Sequence, residues 1–136
     1  QFDLLASYAG RPLVTNQIEV SVLQLQALSD GTLDQCQRLR IAPMAWSPLG
    51  GGRLFREGDD RARRLRLALR AVGNELGASD TQIALAWLLR HPAGALPVLG
   101  SGRIDRLQEA AVATALTLSR EQWFSILRAS AGHDVP

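Results

Sequence analysis

Apolar positions along the chain switch between two spacings, and each switch falls at a Gly, a Pro or a helix-capping residue. Phe2, Leu5, Ala6 and Ala9 recur at helical spacing and stop at Gly10, with Pro12 just beyond. From Leu13 to Ser21 the period drops to two. Val14, Asn16, Ile18 and Val20 point one way and Thr15, Gln17, Glu19 and Ser21 the other, which predicts a strand with one polar-rich face. Thr32 with Gln35 reads as a capping box opening a helix that runs to Arg40. Ile41 to Trp46 reads as a short apolar strand, with Pro43 tolerated near its start. Arg61 to Leu76 carries the apolar stripe Leu65, Leu69, Val72 and Leu76 of a long helix, which Gly77 ends. Ser79 with Gln82 is a second capping box, opening a helix from Thr81 to Arg90 with Ile83, Ala84, Trp87 and Leu88 on one face. A third strand, Ala95 to Leu99, precedes a helix from Ile104 to Ala115. Ser119, boxed with Gln122, starts a last helix that fades at Gly132.

Three strands, each followed by one or two helices, predict parallel crossover units and an α/β fold. In an ordinary sheet the polar face of the Leu13–Ser21 strand would meet water; in a closed barrel it would line the end of the lumen, where ligands sit. The 136 residues form one domain, and 46% hydrophobic with 21% charged residues is the balance of a globular chain. Fifteen basic against 13 acidic residues leave a net charge of +2, too small an excess to point to nucleic acid. No apolar run has the length of a membrane span. A single cysteine, Cys36, allows no internal disulfide and fits a reducing, cytoplasmic setting. The chain opens Gln1-Phe2-Asp3, without Met and inside what reads as a helix, so it is expected to be part of something longer.

Two Gly-rich stretches follow predicted strands, where α/β proteins place ligands. Ala45-Trp46-Ser47-Pro48-Leu49-Gly50-Gly51-Gly52 would let backbone amides approach an anion and present a flat indole. It also reads as a tight turn beside a core Trp. Gly100-Ser101-Gly102-Arg103-Ile104-Asp105-Arg106 opens a helix, so free amides and the helix dipole favour an anion there. Arg103 and Arg106 are spaced to face one pocket, or to be a solvated pair. The third Gly of a dinucleotide fingerprint and the Gly-Lys-Ser/Thr of a phosphate loop are both missing. Arg61, Arg63, Arg64, Arg66 and Arg70 read as a solvated helix face, since no aromatic residues interleave with them. His91 and His133 have no Cys or Asp partner at catalytic spacing, and Cys36, in mid-helix, reads as a small core residue.

Read together, these stretches resemble the aldo-keto reductase family. Thr15-Asn16-Gln17-Ile18-Glu19 resembles the sixth strand of its barrel, and Met44 to Gly52 the seventh strand with its loop. Pro97-Val98-Leu99-Gly100-Ser101-Gly102 through Arg106-Leu107-Gln108-Glu109-Ala110 resembles the eighth strand and phosphate-binding helix. The resemblance spans the whole chain. It implies the C-terminal half of a TIM (β/α)8 barrel, with three parallel strands, sixth to eighth, and outer helices.

By the same resemblance the cofactor is NADP(H). Gln17 would hydrogen-bond the nicotinamide carboxamide, Trp46 would stack on its ring, and Ser47, Leu49 and Gly51 would line the pyrophosphate, with Pro48 in the same cofactor-binding loop. Gly100, Ser101, Gly102, Arg103 and Arg106 would meet the adenosine phosphate, and Glu109 the adenine. Ala110 stands where an Asn is common, and Gly100 where some relatives place a Lys. The family's catalytic Asp, Tyr, Lys and His lie on the first half of the barrel. Here the only Tyr is Tyr8 and there is no Lys, so no catalytic residue is assigned. The expected partners are a carbonyl substrate and the N-terminal barrel half, without which the chain is expected to self-associate. The functional expectation is hydride transfer between NADPH and an aldehyde or ketone. The alternatives are a non-enzymatic NADP(H)-binding module, an inactive piece of such an enzyme, and a nucleic-acid binder using the Arg61–Arg70 helix.

Overall fold

The computed structural model describes residues 1–135. Helix α1 (Phe2–Ala9) leads to strand β1 (Gln17–Glu19), then helix α2 (Thr32–Leu39) and strand β2 (Met44–Trp46). Helices α3 (Asp60–Leu76) and α4 (Asp80–Leu89) precede strand β3 (Leu96–Pro97), and α5 (Ile104–Val112) and α6 (Arg120–Ala131) close the chain. The strands form one parallel sheet in the order β1-β2-β3. Its two outer edges do not meet.

The sheet is shorter than the alternating pattern suggests. Of Leu13–Ser21 only Gln17–Glu19 lies in the ladder, opposite Met44–Trp46. The flanking residues have no strand beside them, and Val14 is 86% exposed. Pro97 sits in β3 without loss, because Leu96 N donates to Pro43 O (2.8 Å) and Val98 N to Ala45 O (2.8 Å). The intervening nitrogen faces the open edge, where no donor is needed.

In-register residues of parallel strands share a face. The Ile18–Ala45–Pro97 row turns toward the helices, with Ala45 fully buried. The rows holding Gln17, Met44 and Leu96, and Glu19 and Trp46, turn the other way onto the uncovered face. The core lies between sheet and helices: Leu65, Leu69 and Val72 of α3 pack with Ile83, Trp87 and Leu88 of α4 and Ile126 of α6.

Three helix starts follow from their caps. Asp59 accepts from Ala62 N at the head of α3, and Ser79–Gln82 and Ser119–Gln122 both form full capping boxes. The expected Thr32–Gln35 box does not form. Gly31 is the N-cap of α2, and Asp30, one residue earlier, already accepts from Thr32 N (2.9 Å). Helix α4 buries more than the one expected face, because Leu85 on another side packs against Ala110 and Ala113. Trp87 and Trp123 stack at 5.0 Å, and each indole N–H donates to the other's backbone carbonyl, which fastens α4 to α6. The arginines of α3 do more than meet solvent. Arg61 donates to Ser130, Arg66 to the carbonyls of Leu54 and Arg56, and Arg70 forms a two-point pair with Asp80.

Candidate active site

A cleft of about 730 Å³ opens at the C-terminal ends of β2 and β3, a size that suits a small-molecule site. One wall runs from Trp46 through Ser47, Pro48 and Leu49 to Gly51 and Gly52, with Phe55 behind it. The backbone there is left-handed at Ser47 (φ 48°) and at Gly50, Gly51 and Gly52 (φ 64°, 60° and 81°). Gly50 has a packing reason as well: a Cβ would lie 2.7 Å from Leu23 Cδ1. The turn is closed by Gly50 N donating to Ser47 O (2.7 Å) and Gly52 N to Leu49 O (3.3 Å).

The opposite wall holds Gly100 and Ser101 with Arg106, Leu107, Glu109 and Ala110 of α5, and Thr81 of α4 joins them. Helix α5 enters without a side-chain cap, so its first amides lack helical partners at this wall. Among the described residues nothing lies within 4 Å of the Cβ positions of Gly100 or Gly102, so that space is open to a ligand. Arg106 forms no ion pair among the described residues. Glu109 is held in place, since Ser79 Oγ donates to its carboxylate (2.6 Å) and Gln82 Nε2 to its carbonyl (3.2 Å).

Nine of the twelve residues singled out from the sequence line this cleft: Trp46, Ser47, Pro48, Leu49, Gly51, Gly100, Ser101, Arg106 and Glu109. Gln17, Gly102 and Arg103 do not. Arg103 is engaged by its own helix start, donating to both Asp105 oxygens (3.1 and 2.6 Å). That fork holds the Asp105 carboxyl below the usual carboxylate range. Gln17 lies on the uncovered sheet face two residues before Glu19, the register partner of Trp46, which is about 7 Å along the strand. Gly52, Val98, Leu99 and Leu107 also line the cleft, within stretches singled out from the sequence but given no role of their own; Ala110 was named only as a departure, and Phe55 and Thr81 were missed. Thr81 is brought in by the packing of α4 against α5, which no local pattern signals. Phe55, 45% exposed after a glycine turn, carried a usable sign in being a large apolar group with no helical stripe to join.

No cluster of three or more metal-ligating side chains occurs among the described residues, and no helix among them is long and apolar enough to cross a membrane. Burial pushes the Cys36 thiol above its ordinary pKa and the His91 ring below its own.

The sequence model of the Aldo/keto reductase family matches residues 4–130. The chain belongs to the aldo/keto reductase family. It is 50% identical over its whole length to oxidoreductase YdhF of Escherichia coli (strain K12), covering 45% of that protein. It is 47% identical to uncharacterized oxidoreductase YcsN of Bacillus subtilis (strain 168), covering 46%. It is 43% identical over 98% of its length to a 6-dehydroglucose reductase of Agrobacterium fabrum, covering 44%. The chain thus spans a little under half the length of these curated relatives, and corresponds to the C-terminal half of the family.

Solved aldo-keto reductases share the fold. The thermostable Tm1743, in complex with epalrestat, superposes with a TM-score of 0.78 at 28% identity, over 93% of this chain and 43% of that one. A Klebsiella pneumoniae aldo/keto reductase in complex with NADP and acetate gives 0.70 at 29% identity, over 85% and 38%. The three parallel strands with their helices are therefore part of an aldo-keto reductase TIM barrel, and the unclosed sheet is a segment of that barrel.

Proposed function

We propose that this chain is the cofactor-binding half of an oxidoreductase that moves a hydride between NADPH and an aldehyde or ketone. The observation that carries the reading is one cleft with two kinds of wall. A left-handed glycine turn beside an exposed indole faces the start of α5, which has no side-chain cap, and the guanidinium of Arg106. That donor set suits a flat ring joined to phosphates, and the NADP complex of the Klebsiella pneumoniae relative supports the choice of group.

When bound, NADP(H) supplies the hydride. This chain's residues hold and aim it. Trp46 offers a face to the nicotinamide, and Gln17, on the same uncovered face of the sheet, offers an amide to the carboxamide. Ser47 to Gly51 and Gly100 to Gly102 leave room for phosphate oxygens beside backbone amides. Arg106 meets the 2′-phosphate, and Glu109, pinned by Ser79, faces the adenine. Arg103 remains with Asp105. The proton for the carbonyl oxygen comes from outside this chain. Tyr8, its only tyrosine, is 83% exposed on α1 and does not line the cleft. A non-enzymatic NADP(H)-binding module would use the same cleft and differs in lacking that acid.

The test is the ratio of NADPH to NADH affinity in wild type and Arg106→Ala. A charge-assisted hydrogen bond at an exposed site is worth about 10-fold. The variant should lose that factor for NADPH and bind NADH as before. An unchanged ratio refutes the assignment of Arg106.

A further inference from the structure

Arg53 lies beside the cleft and not in its lining, yet it joins the glycine wall to the sheet. Its Nε donates to Gly50 O (3.0 Å), and its Nη2 lies 3.4 Å from Glu19 Oε1. Glu19 ends β1 and is the register partner of Trp46, so its backbone lies about 5 Å from that of Trp46 and on the same uncovered face. The Glu19 side chain is only 24% exposed. A carboxylate there puts negative charge beside a site whose proposed ligand is a polyanion. The cation supplied against it is Arg53, which also holds the first glycine carbonyl of the wall. The other end of the same turn is fixed separately, by Arg66 donating to Leu54 O (2.7 Å) and Arg56 O (2.9 Å).

We infer that Arg53 is a positioning residue for the cofactor: it neutralises Glu19 and ties the glycine turn to β1, so that the wall meets a dinucleotide phosphate already formed and without a bare carboxylate beside it. The inference rests on the NADP(H) reading above. It gives a role to two residues that do not touch the cleft lumen. It also explains why an acidic side chain is tolerated on the face that carries Gln17 and Trp46.

The experiment measures NADPH affinity of the full chain in wild type, Arg53→Gln, Arg53→Lys, Glu19→Gln and the Arg53→Gln/Glu19→Gln double variant, with urea midpoints recorded for each. Arg53→Gln should weaken NADPH by about 3- to 10-fold, the range for a half-exposed charged contact, at a nearly unchanged midpoint. Arg53→Lys should recover part of the loss. Adding Glu19→Gln to Arg53→Gln should also recover part of it, which a purely structural pin would not allow. Binding by Arg53→Gln equal to wild type overturns the inference, as does a double variant weaker than Arg53→Gln. A wild-type chain that binds no NADPH overturns the cofactor reading itself, and this inference with it.

Discussion

Gly50 and Gly52 share a left-handed backbone but differ in what surrounds them, which separates two costs of adding a methyl group. At Gly52 (φ 81°) nothing lies within 4 Å of where an added methyl carbon would sit, so Gly52→Ala carries the conformational term alone, about 1–2 kcal/mol. At Gly50 (φ 64°) the methyl carbon would lie 2.7 Å from Leu23 Cδ1, with Leu23 Cβ and Cγ at 3.5 and 3.6 Å. Leu23 is packed in the core and 9% exposed, so it has little room to turn away. Overpacking of that kind costs about 1–3 kcal/mol, which brings Gly50→Ala to roughly 2–5 kcal/mol in all. Urea unfolding of the two variants beside wild type reads the difference directly, provided the slopes agree. Gly50→Ala should be the less stable by at least about 1 kcal/mol. Equal midpoints for the two variants would refute the claim that Leu23 closes over Gly50.

Two further outcomes follow. Burial holds the His91 ring below its ordinary value of 6.5, so the fold favours the neutral ring while the unfolded chain takes up its proton at higher pH. Stability should therefore fall as pH drops below that value and be unaffected by His91 above it. Urea midpoints at about pH 7.5 and about pH 5.5 should show a smaller drop in His91→Gln than in wild type, and equal drops would contradict the sign. The 136-residue chain alone should oxidise NADPH with simple aldehydes no faster than the blank. A positioned acid contributes about 10²–10⁴-fold, and Tyr8 is not in the cleft; robust turnover would require an acid among the residues described above.

The parts of this fold legible in the sequence were those decided locally. The leucine stripe of α3 and the boxes Ser79–Gln82 and Ser119–Gln122 each depend on residues within one or two turns, and each is where the pattern put it. The Thr32–Gln35 box failed because a better-placed acceptor, Asp30, sat two residues before Thr32. Strand extents were overread because period-two alternation marks a capacity to pair, whereas pairing needs a neighbour. Beyond Gln17–Glu19 none is present. In the cleft, loop motifs such as Ser47–Gly51 and Gly100–Ser101 were readable from glycine and proline chemistry. Thr81 was not, since its arrival depends on α4 packing against α5. Arg103 and Arg106 show the limit of spacing arguments. Three residues apart at one helix start, they were equivalent by spacing until Asp105 took one of them.

The central claim is the proposal that Trp46 stacks on a nicotinamide, beside a glycine wall that meets the phosphates. Trp46 is 41% exposed at the cleft, while Trp87 and Trp123 are stacked on each other between α4 and α6 and line no part of it. Titration with the oxidised cofactor NADP⁺, which does not absorb in the tryptophan emission band, reads contact with the exposed indole and not energy transfer from the stacked pair. Wild type should show saturable quenching that is abolished in Trp46→Phe. Quenching that persists unchanged in Trp46→Phe, or no quenching of wild type at saturating NADP⁺, would contradict it.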